Sequence, residues 1–311
     1  MDALARHTRH DSTRTPLLSI VCPAYNQEAY IAQTLDSFLA QQTNFSFEIL
    51  VNDDASTDNT ARIIAQYAER YPQIIRPFYH QENQYRQGKP CVPDLFVEAR
   101  GRYIAFCEGD DYWTDPRKLQ LQVDFLESHP DYVITYHDAM AFDEHKQHGI
   151  QLQGDLRRDA SALELQKARP ISTLTTCFRN VLTSMPPELQ IRIAPLNDLC
   201  WWSLLGAHGK GKFMAEIKPA AYRLHAGGIF SMRSDKRKLH MSLQTASSLA
   251  NYYNRLGNQA LYEYFLSQSV CLSLAALSPA HKIKAMLTVA RNVMVNLGRR
   301  LRQATRKAYV Q

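Results

Sequence analysis

Apolar residues fall along this chain in short runs that alternate between β-type and helical spacing. Leu17–Cys22 is apolar but for Ser19 and stops at Pro23, which predicts a strand buried on both faces, as in a parallel sheet. Glu28–Gln41 places Ile31, Leu35, Phe38 and Leu39 at helical spacing. Phe47–Val51 reads as a second strand, running into the acidic turn Asn52-Asp53-Asp54-Ala55-Ser56-Thr57-Asp58 and a helix from about Asn59 to Arg70. Ile74–Tyr79 predicts a third strand and Pro93–Arg100 a helix closing on Gly101. Tyr103–Cys107 predicts a strand that delivers Glu108-Gly109-Asp110-Asp111-Tyr112-Trp113 at its end. The next helix is expected to start with Asp115 as N-cap and Pro116 at its first position, and to run to about Ser128. Tyr132–Phe142 and Ile171–Arg179 read as strands, Leu199–Leu205 as a helix ending near Gly209–Gly211, and the chain from Leu239 onward as helical throughout. Strands alternating with helices in this way predict an α/β fold around a mostly parallel sheet, with a C-terminal helical extension.

Length and charge refine this outline. The 311 residues suit one large α/β domain with an appendage. The expected division is a flexible tail at 1–15, a main domain at 16–232 with halves at about 16–115 and 116–232, and a helical region at 233–311. The net charge is +6, yet no acid follows Glu263 while eight Lys and Arg do, so the remaining body is close to neutral. A neutral body argues against nucleic acid as partner, and a basic tail points to a local anionic surface. The six cysteines are scattered, without a CxxC pair, and read as buried thiols of a reducing compartment. Residues 1–15 lack the apolar core of a secretory signal, and no apolar run approaches the roughly 20 residues of a membrane span. A cytoplasmic protein, soluble or peripheral at the inner face of a membrane, is the expectation.

Ligands of open parallel sheets bind beyond the carboxyl ends of the strands. Three polar clusters, Ala24-Tyr25-Asn26, Asp53-Asp54 and Asp110-Asp111, are therefore expected to converge on one crevice. A carboxylate pair at a strand end suits a Mn²⁺ or Mg²⁺ ion, a hard cation that takes oxygen ligands and bridges them to a diphosphate. By spacing alone, one of Asp110 and Asp111 serves equally well as a turn cap before the Asp115 helix, with the other solvated.

The motifs together resemble family 2 glycosyltransferases of the GT-A fold, which invert the anomeric centre of a nucleotide sugar. The resemblance runs from about Leu17 to Ser231. It rests on Ser19-Ile20-Val21-Cys22-Pro23-Ala24-Tyr25-Asn26-Gln27-Glu28, Val51-Asn52-Asp53-Asp54-Ala55-Ser56-Thr57-Asp58, the segment Gly101 to Asp111, Asn197-Asp198, and Tyr222-Arg223-Leu224-His225, in family order. It implies that Pro23, Ala24 and Tyr25 line the base and ribose of a UDP-, dTDP- or GDP-linked sugar, with Glu28 beside them. Asp54 would accept from the base, and Asp110 would reach the ribose, or the metal through water. Asp111 and His225 would hold the metal, Mn²⁺ or Mg²⁺. The acceptor would be a glycan or a lipid-linked hydroxyl, in surface polysaccharide or glycolipid synthesis. Ala55 departs from the family, where glycine is frequent.

Asp198 is the candidate general base, since an inverting transfer is a single displacement that needs one carboxylate to deprotonate the acceptor. On sequence alone, Asn197 or Asp198 reads at least as well as the cap of the helix at Leu199. Trp113, Trp201 and Trp202 are candidates for sugar stacking or core packing, and Arg86 and Lys89 for phosphate contact or plain solvation. Gly227-Gly228 after His225 predicts a mobile loop. In the tail, Ile283, Met286, Leu287, Ala290, Val293, Met294, Leu297 and Leu301 form an amphipathic stripe, suited to an anionic bilayer or to a protein surface. Two other function classes fit less well. A sugar nucleotidyltransferase needs a Gly-rich basic loop where Pro23-Ala24-Tyr25-Asn26 stands, and a non-catalytic nucleotide-sugar-binding protein has no need to keep Asp110, Asp111 and Asp198 together.

Overall fold

The computed structural model describes residues 15–89, 92–152, 154–182, 194–228, 233–284, 286–288 and 291. The chain divides into two compact units, one up to Arg233 and one from Ser234. The expected flexible tail lies outside the described residues except for Thr15, as do Cys91, Ser231 and most of the basic C-terminal stripe.

The first unit runs β1 (Leu18–Ala24), α1 (Ile31–Leu39), β2 (Phe47–Asp53), α2 (Thr60–Arg70), β3 (Ile75–Tyr79), α3 (Val92–Glu98), β4 (Tyr103–Phe106) and α4 (Lys118–Ser128). It continues through β5 (Tyr132–Tyr136), β6 (Ala139–Phe142), β7 (Gln147–Ile150), α5 (Ala162–Gln166), β8 (Cys177–Arg179), α6 (Asn197–Leu205), β9 (Lys210–Phe213) and β10 (Ala220–Arg223). Seven strands form one sheet in the order β3-β2-β1-β4-β8-β5-β9, parallel but for β8. A second sheet has the order β10-β6-β7. The large sheet is the mostly parallel, helix-flanked α/β architecture that the alternating pattern predicts.

Burial explains the central strands. Leu18, Ile20, Cys22, Ile49, Val51, Tyr103 and Ala105 pack with Ile31, Leu35 and Phe38 of α1 in one core. β1 is buried on both faces, as its unbroken apolar run requires. Parallel pairing of Leu18 with Phe47 and with Tyr103 brings the carboxyl ends of β1, β2 and β4 to the same edge. The turn before β4 demands a glycine, because a Cβ on Gly101 would lie 2.4 Å from Ser19 N. One charge sits in this layer. The buried Glu48 carboxylate accepts from Ser19 Oγ (2.7 Å), Arg100 N (2.8 Å), Arg100 Nη2 (2.6 Å) and Arg76 Nη1 (2.9 Å), so its lone pairs are satisfied from three segments.

Several boundaries differ from the sequence expectation, each for a physical reason. β1 runs through Pro23 to Ala24, because β2 beside it continues to Asp53 and Gly109 N bonds the Pro23 carbonyl (3.0 Å). Helix α1 begins at Ile31 after a turn in which Tyr30 N meets Gln27 O (2.9 Å). Asp115 is not the N-cap of the next helix. It accepts from Arg117 N (3.0 Å) and, across the fold, from Lys218 N (3.2 Å), so α4 starts only at Lys118. The run Tyr132–Phe142 splits at the buried His137 and Asp138 into β5 and β6, which belong to different sheets. Ile171–Arg179 yields a single 3₁₀ turn at Thr173–Thr175 before the short β8.

The second unit is helical but not throughout. Helices α7 (Asp235–Arg255) and α8 (Gln259–Ala276) are separated at Gly257, whose φ of +69° stops the first, and Asn258 caps the second through Leu261 N (3.2 Å). They meet where the Tyr253 and Phe265 rings stack at 5.7 Å and Ser247 Oγ donates to Ser269 Oγ (3.3 Å), with Leu249 and Leu261 buried. Among the described residues no helix is long and apolar enough to cross a membrane.

Candidate active site

The three expected clusters do converge at the carboxyl edge of β1, β2 and β4, and backbone hydrogen bonds join them. Asp54 N donates to Ala24 O (3.0 Å), and Cys107 N to Val21 O (3.2 Å). The loop after β1 is laced to the loop after β2. Asn26 N meets Ser56 Oγ (2.9 Å), Asn26 Oδ1 accepts from Thr57 N (2.8 Å), and Gln27 N meets Thr60 Oγ1 (2.7 Å). Glu28 accepts from Asn59 N (2.9 Å) and Nδ2 (2.7 Å), so its carboxylate ties the two loops together. Asn26 and Ala55 both sit in the left-handed region, at φ +51° and +59°. Asparagine tolerates that conformation better than alanine, which explains the family's glycine at the second position.

Asp54 is buried, and both its oxygens accept backbone N–H groups, from Gln84 (2.7 Å) and Tyr85 (3.1 Å). It thereby shapes the 83–89 loop, which holds the Arg86 guanidinium 5.7 Å from the centre of the Tyr25 ring. Its neighbour Asp53 is also buried and leaves Oδ1 without a partner at the same edge.

The Glu108–Asp111 turn is held from three directions. A Cβ on Gly109 would meet Gln27 Oε1 at 2.4 Å and Ile31 Cδ1 at 2.9 Å, so the glycine lets the turn close on the first loop without displacing those side chains. Thr34 Oγ1 of α1 lies within hydrogen-bond distance of the carbonyls of Gly109 (2.9 Å) and Asp111 (2.6 Å), which share its single proton. Strand β10 supplies the third hold. Tyr112 bridges to Ala221, Arg223 N donates to Asp111 Oδ1 (2.7 Å), and Arg223 Nε donates to Asp110 O (2.9 Å). The Arg223 guanidinium lies over the rings of Tyr30 (4.5 Å) and Phe142 (4.7 Å) and reaches Gln33 Oε1 (2.6 Å). Two residues on, His225 Nε2 lies 2.8 Å from Asp110 Oδ2, with its ring edge-on to Tyr30. The segment Tyr222-Arg223-Leu224-His225 is thus the back wall of the acidic turn.

The carboxylates of this wall crowd one another. Asp111 is 2% exposed, and burial together with the charges of Asp110 and Glu108 pushes its carboxyl well above the ordinary range. Burial likewise pushes Glu108 up to about 7, opposed by the Thr173 hydroxyl that donates to it (2.7 Å) and reinforced by Asp110 and Asp198. Asp198 therefore shares the electrostatic field of the Glu108–Asp111 turn, although 90 residues separate them in sequence. It stands in the first turn of α6, one residue past the helix start, while the cap position is Leu196. Burial raises its carboxyl to about 6, against the opposing pull of the Asp198 and Leu199 N–H groups.

A divalent cation fits this donor set. Among the described residues no three His, Cys, Asp or Glu side chains are gathered closely enough to hold a metal unaided. Asp110 and His225 lie within hydrogen-bond distance of each other, with Asp111 next in the turn, and one or two protein donors together with diphosphate oxygens would suffice for a Mg²⁺-type ion. The crowded acids are what such a cation would relieve.

Other candidates resolve differently. Trp113, Trp201 and Trp202 are all core residues; Trp113 Nε1 donates to Leu174 O (2.8 Å) and Trp202 Nε1 to Ile171 O (3.1 Å). Lys89 is exposed. His225 starts a tight turn in which Gly228 N bonds its carbonyl (3.0 Å); residues 229–232 lie outside the described set. Nothing in the sequence pattern marks Thr173, which donates to Glu108, or Tyr30, which packs on His225. The signal available for Glu108 was its place at the end of β4, two residues before the acidic pair.

Comparison with known proteins bears on the family and the fold. A profile of glycosyl transferase family 2 matches residues 19–184. The uncharacterized protein Rv1520 of Mycobacterium tuberculosis is 39% identical over 225 residues, 71% of this chain and 63% of its own length. TarS residues 1–349 of S. aureus, solved in complex with UDP-GlcNAc, superposes with a TM-score of 0.55 at 19% identity, over 75% of this chain and 66% of that one. The mannosyltransferase PcManGT of Pyrobaculum calidifontis, solved with GDP-Man and Mn²⁺, gives 0.50 at 16% identity, over 92% and 82%. The chain thus spans a little under two thirds of the curated relative it matches, and the solved structures share its fold. Because the matched segment holds β1, the Asp53-Asp54 turn and the Glu108–Asp111 turn and covers more than half of the sequence, this chain belongs to glycosyl transferase family 2.

Proposed function

We propose that this chain transfers a sugar, with inversion, from a nucleoside-diphosphate sugar to an acceptor hydroxyl. The observation that carries the reading is the Asp110–His225 contact at the carboxyl edge of the sheet, with Asp198 near enough to raise the carboxyl of Glu108 in the same turn. The Pro23-Ala24-Tyr25 segment and the Asp53-Asp54 turn line the side of that edge where a base and ribose fit. Asp54 acts there through the 83–89 loop as well as by its own carboxylate, since its oxygens already accept two N–H groups. Glu28 contributes by fixing the loop.

Asp110 and His225 would hold the Mn²⁺ or Mg²⁺ ion, with Asp111 as the second carboxylate. When bound, the ion neutralises the charge on the diphosphate as it leaves. Asp198 takes the proton of the acceptor hydroxyl while that oxygen bonds the anomeric carbon and the bond to the diphosphate oxygen breaks. UDP-, dTDP- and GDP-sugars are the donor classes, and TarS with UDP-GlcNAc and PcManGT with GDP-Man support two of them. A glycan or lipid-linked glycan of a surface polymer is the acceptor class.

The test is a panel of these donors incubated with the purified chain, with and without Mn²⁺, reading nucleoside diphosphate release and thermal stabilisation. One donor class should stabilise the fold and be turned over only with metal. Sugar-1-phosphate and nucleoside triphosphate consumption without donor hydrolysis would replace this reading by a nucleotidyltransferase.

A further inference from the structure

The second unit carries an exposed surface that sugar transfer does not use. After α8 a new helical run begins at 279, with Ser278 before it and Pro279 in its first position; Lys282 N bonds Ser278 O (2.9 Å), and Ser278 Oγ lies 2.8 Å from His281 Nδ1. On it Ile283, Met286 and Leu287 are 61%, 62% and 66% exposed, in contrast to the buried apolar stripe of an ordinary surface helix.

The cations stand in a definite relation to this stripe. At about 100° per residue, the three apolar side chains cover roughly 100° of the helix circumference. Lys282 falls about 90° to one side of the stripe's centre, and Lys284 and Arg291 about 90–110° to the other. Long basic side chains at those angles reach phosphate headgroups while the stripe between them sinks toward the acyl chains. From residue 264 onward the sequence has eight Lys and Arg and no Asp or Glu, so no acid of that segment neutralises them. An apolar groove on a protein would match the stripe and leave the flanking cations unpaired. An anionic lipid surface matches both.

We propose that the segment beginning at Ser278 docks this chain on an anionic lipid surface. The test is flotation of the full chain with phosphatidylcholine vesicles, with or without phosphatidylglycerol, in the absence of any nucleotide sugar, so that its outcome is independent of the sugar-transfer reading. The chain should float with the anionic vesicles only, and less so as salt rises. Lys282→Gln/Lys284→Gln/Arg291→Gln, exposed changes that leave the fold alone, should lower the partition coefficient about a hundredfold at low salt. Ile283→Asp/Met286→Asp should abolish flotation while the melting temperature holds. Absence of flotation by the wild-type chain, equal binding to neutral vesicles, or an unchanged partition in the triple variant would overturn the proposal. So would a change of oligomeric mass in the aspartate variant with vesicle binding intact.

Discussion

If Asp198 is the base, the transfer rate must follow its ionisation, and the buried setting fixes where. With the carboxyl raised to about 6, roughly a tenth of it is ionised at pH 5 and nine tenths at pH 7. The rate constant kcat/KM should therefore fall about tenfold between pH 7 and pH 5. An ordinary aspartate near 3.9 would lose less than about 10% over the same interval. Asp198→Asn should lower the rate by about 10²–10⁴-fold across the whole range. The same variant makes a second, opposite prediction. A carboxyl whose pKa is raised on folding stabilises the fold below its unfolded value and loses that contribution as pH rises through about 6. Asparagine removes the buried charge and keeps an acceptor for the helix N–H groups, so the variant should melt higher than wild type at pH 8 and no higher at pH 4. The assay is initial transfer rate at saturating Mn²⁺ from pH 4.5 to 8, with melting curves in the same buffers. Glu108→Gln serves as control, because Glu108 also titrates near neutrality and the profile should keep its inflection near 6 without it. A flat profile from pH 5 to 7, or a near wild-type rate in Asp198→Asn, would refute the assignment.

Three structural predictions follow the same logic. Glu48→Ala strips a buried carboxylate from Ser19 and from the solvent-accessible Arg76 and Arg100 and should cost about 1–3 kcal/mol by urea unfolding at pH 7. Burial opposes ionisation of Glu48, but the hydrogen bonds from Arg100, Ser19 and Arg76 outweigh it and lower its pKa; its contribution is therefore present above the unfolded value of 4.5 and lost as pH falls below it. Gly101→Ala sets a Cβ 2.4 Å from Ser19 N and 2.6 Å from Leu18 C, both backbone, and should destabilise by about 3 kcal/mol or leave no soluble protein, read by expression and melting temperature. Ala55→Gly releases a left-handed alanine costing about 1–2 kcal/mol and restores about 0.5–1 kcal/mol of chain entropy to the unfolded state; melting should show a net gain of up to about 1 kcal/mol.

The sequence by itself determined the fold class and the place of the crevice. Short apolar runs such as Leu17–Cys22, alternating with helical spacing, fit strands covered on both faces, and a parallel sheet puts the polar residues after every such strand at one edge. Tyr25, Asp54, Asp110 and Asp111 were legible for that reason, and Asp198 and His225 by family order. What each carboxylate faces was decided only by tertiary structure, because hydrogen-bond partners come from segments distant in the chain. Asp54 meets Gln84 and Tyr85, Asp110 meets His225, and Glu108 meets Thr173. The same cause moved the element boundaries. Asp115 has the local signature of a helix cap, yet Lys218 N competes for its carboxylate, and Tyr132–Phe142 has the pattern of one strand, yet its halves pair with β8 and β9 on one side and β7 and β10 on the other. Local pattern sets what a segment can become; the partner across the fold selects among those outcomes, since a buried polar group left unpaired costs more than the propensity that favours another boundary.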